Sequence, residues 1–180
     1  MKLLIVSHVV HYKSSDGYYA YSPYAKEIEL WADLFADVTI AAPCRLGEPP
    51  ADTCRIARRN VRVSPQREVG GESLAAKAGI AMALPRMTFD LIRQMWKAEA
   101  IHVRCPGNLG LLGVLLAPFF SRCLIAKYAG QWNGYPGEEW TVSLQRRVLR
   151  LLRRGGRRKE GQGSLAEHLG SRDFREGSLP

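Results

Sequence analysis

Three clusters of polar side chains in this 180-residue chain have the residue types to act on a ligand. The first is His8, His11, Lys13, Ser14, Ser15, Asp16 and Gly17. The second spans residues 104–108 (RCPGN) and the third residues 127–132 (KYAGQW). Each follows a short apolar run, and in a sheet of parallel strands ligands bind beyond the carboxyl ends of the strands. The residue types narrow the chemistry. His8 and His11 have no third metal ligand nearby, and Ser14, Ser15 and Asp16 lie close to histidines without the G-x-S-x-G elbow of a nucleophilic serine. A glycine at position 17 ahead of a helix lets backbone amides approach an anion, yet neither G-x-G-x-x-G nor G-x-x-x-x-G-K-[ST] is present. Arg104, at a strand end, is the best placed of the charged groups for ligand contact, with an ordinary surface ion pair as its alternative role.

The elements that must position these clusters centre on residues 99–135. That stretch reads as a strand (AIHVRCP), a charge-free helix (NLGLLGVLLAPFF) and a strand ending in a Gly-rich turn (CLIAKYAGQWNGY). Short β-branched runs joined by an apolar helix call for a parallel pair, because parallel strands need a crossover. Residues 2–6 (KLLIV) predict a central strand, and residues 7–23 a polar loop. Ser22 and Pro23 then suit the N-cap and first position of a helix that buries Ile28, Trp31, Ala32 and Phe35. A second strand is expected over 37–42, ended by Pro43, followed by a polar excursion with a short strand near 61–63. Residues 74–84 predict a helix broken at Pro85, and residues 89–98 a further helix with Phe89, Ile92, Met95 and Trp96 on one face. The expected fold class is α/β: a Rossmann-like parallel sheet with helices on both faces.

The length suits one domain, expected over residues 1–153, and the Gly-, Ser- and Arg-rich stretch 154–180 predicts a disordered tail. The formal charge of +9 is uneven. Residues 1–143 hold 16 Lys+Arg against 13 Asp+Glu, whereas residues 144–180 hold 10 against 4, so the basic excess belongs to the end of the chain. The run 141–154 has the pattern of a basic amphipathic helix, which suits an anionic membrane surface or nucleic acid. No aromatic residues interleave residues 146–159 and no nucleic-acid motif accompanies them, so nucleic acid is not an expected partner. The longest charge-free stretch, 105–121, is interrupted by Pro106, Gly107, Asn108 and Pro118 and reads as a helix buried against a sheet rather than a membrane span. No secretory signal is expected at the start of the chain. Cys44, Cys54, Cys105 and Cys123 show no metal spacing and read as buried, reduced thiols; no metal and no cofactor is expected.

The order and spacing of MKLLIVSH, SPYAKEIELWADLFADVTIAAP, AIHVRCPGNLGLLGVLLA and CLIAKYAGQW resemble the N-terminal domain of family 4 retaining glycosyltransferases, over about residues 1–150. Those enzymes have the GT-B architecture of two Rossmann-like domains, of which this chain would supply one. The resemblance implies an acceptor-side half that receives a glycan or lipid-linked acceptor. The nucleotide-sugar and the Glu-rich catalytic motif would belong to a second, donor-binding half, so that the chain would be either a truncated product or one part of a split enzyme whose partner chain carries that half. It further implies a role in glycan or polysaccharide biosynthesis, a cytoplasmic location at the inner face of a membrane, and no catalysis by this chain alone. The cleft-lining positions it carries over are Asp16, Gly17, Arg104, Gly130 and Gln131. The loop KSSDGYY departs from the family's glycine pair, having Gly17 alone. A different class of function, a non-catalytic module held at an anionic membrane by the basic C-terminal helix, also fits the residues.

Overall fold

Five runs rich in Val, Ile, Leu and Ala pair in parallel at the centre of the computed structural model, which describes residues 1–69, 71, 73–120, 123–129, 133 and 140–157. They are β1 (Lys2–Val6), β4 (Asp37–Leu46), β6 (Val61–Gln66), β7 (Ala100–Cys105) and β8 (Cys123–Tyr128). Their spatial order is β6-β4-β1-β7-β8, so that β1 pairs with β4 on one side and β7 on the other. This is the Rossmann-like α/β arrangement the sequence predicts, and the order reverses direction between β1 and β7. β1 is apolar on both faces, as a central parallel strand must be. Leu4 and Val6 enter one core and Leu3 and Ile5 the other.

Helix α1 (Ser22–Leu34) covers the Leu3/Ile5 face, burying Tyr24, Ala25, Ile28 and Ala32. The opposite face is covered by α2 (Leu74–Met95), α3 (Asn108–Leu116) and α4 (Trp140–Arg157). The βαβ unit expected over 99–135 is present as β7-α3-β8, with Ala100 facing Cys123 and Cys105 facing Tyr128. Gly110 and Gly113 let α3 lie close to the sheet. A Cβ on Gly110 would sit 2.5 Å from the Arg104 carbonyl oxygen, and one on Gly113 would sit 3.0 Å from Val6 Cγ1.

Several local expectations need correction. Residues 7–23 are not a loop: β2 (His11–Ser14) and β3 (Gly17–Tyr21) form an antiparallel hairpin, extended by β5 (Thr53–Arg55) and joined to the main sheet where β2 runs parallel to the end of β4. Tyr12, Tyr18, Tyr19 and Tyr21 suit strands, and Gly17, at φ 150°, supplies the backbone the tight turn requires. Nor does β4 stop at Pro43. Pro43 stands opposite Gln66 just where β4 exchanges its neighbour β6 for β2, a point at which a missing N–H is tolerated.

Ser22 is not the cap of α1 but its first residue. Its Oγ and N both donate to the Asp52 carbonyl, at 2.8 and 3.0 Å. Pro85 does not break the helix either. Ala83, Met87, Leu91 and Met95 recur every four residues and are all buried, so packing carries α2 through the lost hydrogen bond. Of the face expected over Phe89, Ile92, Met95 and Trp96, Met95 is buried, whereas Phe89 and Trp96 are exposed.

α4 runs past the boundary expected at 153, and its apolar residues Val148, Leu149 and Leu152 pack into the core beside α3. The tail expected to be disordered lies, from residue 158 on, outside the described residues. No helix among the described residues is long and apolar enough to cross a membrane.

The glycine geometry sets a testable contrast. Gly110→Ala should destabilise the domain by at least about 2 kcal/mol, because the new methyl meets backbone rather than a movable side chain. Gly79→Ala, on α2 with nothing within 4 Å of the added carbon, should stabilise it by about 0.5–1 kcal/mol. Urea denaturation of the two variants should give shifts of opposite sign.

Candidate functional site

The site is built where the carboxyl ends of β7 and β8 meet the first turns of α1. Alternate residues of a strand share a face, so His102 and Arg104 both point toward α1, and Lys127, which stands opposite Arg104 in the register, joins them from β8. On α1, Tyr24, Glu27 and Trp31 follow one another at helical spacing and meet these strand residues in turn. Arg104 Nη1 donates to Glu27 Oε2 at 2.6 Å, and Lys127 Nζ lies 2.9 Å from the same oxygen. The Arg104 guanidinium sits over the Tyr24 ring, 5.1 Å from its centroid, and the Trp31 and His102 rings lie 5.0 Å apart. Glu27, Trp31 and Lys127, with Pro23, Leu30 and Leu34, line an open groove of about 610 Å³ along α1.

Burial and charge set the protonation states here. Burial alone pushes the Glu27 carboxyl up, but hydrogen bonds from Lys127 and Arg104 and their positive charges outweigh it and hold the group below the ordinary carboxylate range. Glu27 is therefore an anion between two cations, and the cluster carries one net positive charge. His102 is lowered to about 4 by burial, with the Glu27 charge opposing and the two cations adding to the effect. His11, buried edge-on against Tyr24 at 5.5 Å, is also lowered to about 4 by burial. Both rings are neutral at pH 7. The Tyr24 hydroxyl is buried beside Ser7, with its pKa raised chiefly by that burial. His8, beyond the end of β1, lies against Gly107 at the start of α3. A Cβ there would come within 2.8 Å of His8 Cβ, and Gly107 has φ 154°, so this close approach needs glycine. Partial burial, with the neighbouring Arg104 charge, lowers His8 as well.

Arg104 thus lies at the end of β7 in a largely buried ion pair with Glu27, and it is not itself among the residues that line the groove. Asp16 and Gly17 are at the carboxyl side of the sheet too, but they form the tip of the hairpin. Tyr19 Oη donates to Asp16 Oδ2 at 2.7 Å, and that bond is the main cause of the lowered Asp16 pKa, while Arg55 approaches at 4.0 Å. A Cβ on Gly17 would meet Arg55 Nε at 2.9 Å. These contacts account for Asp16 and Gly17 as hairpin residues, with none that joins them to Arg104. Gly130 and Gln131 lie outside the described residues.

Sequence reasoning missed Glu27, Tyr24 and His102. The signal was a carboxylate interrupting an apolar helical stripe, opposite a histidine and an arginine two apart on a buried strand.

The described residues contain no group of three His, Cys, Asp or Glu placed to hold a metal ion. The Cys105 and Cys44 thiols, pushed up by burial to about 12 and about 11, stay protonated at neutral pH. The arrangement offers directed hydrogen bonds and a tryptophan side chain on the wall of a groove whose charged lining, Lys26, Arg58 and Lys127 against Glu27, Glu29 and Asp33, balances. Comparison of the chain with protein-family models, with curated proteins and with solved structures finds no match in any of the three.

Two outcomes follow. Glu27→Gln leaves Arg104 and Lys127 side by side without their counter-charge and should destabilise the fold by about 1–3 kcal/mol, whereas Lys127→Met, at the half-exposed end of the cluster, should change it by less than about 1 kcal/mol. Because His11 and His102 have folded values depressed to about 4 from 6.5, the unfolded chain takes up protons that the folded one refuses. Stability is then complete above pH 6.5 and falls as the pH drops toward 4, by up to about 1.4 kcal/mol per pH unit for each ring. A urea midpoint that stays constant across that window would contradict neutral burial of the two rings.

Proposed function

We propose that this chain is the acceptor-side half of a nucleotide-sugar-dependent glycosyltransferase, binding a glycan or lipid-linked acceptor at the carboxyl end of its sheet and depending on a separate donor-binding domain for transfer. The observation that carries the reading is the Glu27–Arg104–Lys127 cluster beside Trp31, at the strand ends where open α/β sheets take their ligands. A sugar has a rim of hydroxyls and a flat C–H face. Charged donors and an acceptor suit the rim, an indole suits the face, and a spare positive charge suits a diphosphate link in a lipid-bound acceptor. The resemblance of residues 1–150 to family 4 N-terminal domains points the same way.

Glycosyl transfer needs groups that stabilise charge on a departing nucleotide diphosphate. In the resembling enzymes those belong to the other domain, so this chain has the part of an acceptor platform.

Amide shifts in the isotope-labelled chain test the reading, with a short-chain isoprenyl-diphosphate-linked sugar as acceptor probe and a uridine-diphosphate sugar as donor probe. The acceptor probe should move resonances at the ends of β7 and β8 and around Trp31, and Arg104→Gln should weaken it at least about tenfold. The donor probe should bind far more weakly. Tighter binding of the donor probe, or acceptor shifts confined to other parts of the sheet, would overturn the assignment.

A further inference from the structure

Helix α2 is apolar on both sides. Its inner stripe, Ala83, Met87, Leu91 and Met95, is buried in the core. Met82, Phe89 and Trp96, the last in the turn just past α2 and still bonded through its N–H to the Ile92 carbonyl, recur at intervals of seven, and at about 100° per residue this places them on the side diametrically away from that stripe. They are 80%, 65% and 78% exposed. Phe119, in the 3-10 turn Ala117–Phe119 that follows α3, is 81% exposed and extends the patch, and its neighbour Phe120 meets the Trp96 ring at 6.2 Å. An outward helix face would ordinarily be polar; here it is a line of large apolar side chains about 21 Å long.

The charges beside that line select its occupant. Arg86, Arg93 and Lys97 flank it, and Asp90, the sole acid in the sequences of α2, α3 and α4, lies 4.0 Å from Arg86. A second copy of the chain laid on the stripe would bring Arg86 and Arg93 against their own equivalents with little acid to relieve them. A surface of anionic headgroups over hydrocarbon complements both features, taking the aromatic and thioether side chains into the acyl boundary and the basic ones at headgroup level. We infer that the outer face of α2, extended by Phe119, is a docking surface for an anionic lipid bilayer, with the helix lying flat along it. α4 is not the anchor, because Val148, Leu149 and Leu152 are already packed in the core. This inference stands apart from the acceptor-side reading, since it concerns plain lipid and the opposite face of the sheet.

Co-sedimentation of the full chain with vesicles of phosphatidylcholine alone, or of phosphatidylcholine mixed with phosphatidylglycerol, tests it. The chain should bind the mixed vesicles and not the neutral ones. The double variant F89S/W96S should lose about a hundredfold in affinity and R86E/R93E at least about tenfold, both with unchanged thermal melting because these side chains are exposed. R147E/R150E on α4 should lose less than either. The proposal is overturned if F89S/W96S binds like the parent chain, if neutral vesicles bind equally well, or if R147E/R150E alone abolishes binding. Concentration-dependent dimers that vanish in F89S/W96S would overturn it too, assigning the stripe to a second copy.

Discussion

Glu27 is held between Arg104 and Lys127, and the architecture around the groove follows from keeping that carboxylate in place. It has to be carried on a helix, because Tyr24 and Trp31, three residues before it and four after, must reach the Arg104 guanidinium and the His102 ring on the same strand. The helix must also begin at a fixed residue, since a slip of one position rotates the stripe by about 100° and points Glu27 away from the sheet. Ser22 fixes the start by donating from both its backbone and its hydroxyl to Asp52. Charged clusters of this kind are seldom kept for stability alone, because apolar residues of similar volume commonly stabilise an interior at least as well. A charged trio at strand ends, with two neutral histidines close by, is the feature on which the proposed acceptor site rests.

The sheet places that trio at one end of the molecule. β1 is flanked by β4 and β7, and where the strand order reverses the loops that follow β1 and β7 come together, with His8 packed against Gly107. The hairpin of β2 and β3 is grafted onto the far end of β4, beyond Pro43. This extends the sheet by a mostly antiparallel portion without disturbing the parallel core, and it brings His11 and Ala20 over Tyr24 to close the core above α1.

Much of this was legible in the residues. The parallel strands announced themselves as short β-branched runs, and the apolar helix between β7 and β8 left little alternative to a crossover. Arg104 was singled out because strand ends are where ligands meet such sheets. The hairpin was missed because its strands contain His, Lys and Ser, which look like loop residues until the tyrosines are counted as strand formers. Pro43 and Pro85 misled for a related reason. A proline reports only that one N–H is gone, and whether that matters depends on the neighbouring strand or on buried side chains far away in sequence. Glu27 was hidden because a lone acid in an amphipathic helix normally belongs to the wet face; the two cations that draw it inward come from strands 77 and 100 residues later.

Pro85 also bears on what the outer face of α2 is for. A helix interrupted by proline holds together only if its packing is strong, and the four buried residues at intervals of four supply that packing entirely from the inner side. Folding therefore asks little of positions 82, 89 and 96, where the Trp96 ring meets Phe120 at the edge of the core, and polar side chains there would give better solubility with little loss of core. Large apolar residues at all three, continued by Phe119 from a different element, are not a by-product of making the helix. Among the described residues little packing calls for them, and contact with a further surface, which the inferred lipid docking would supply, gives all of them one common constraint.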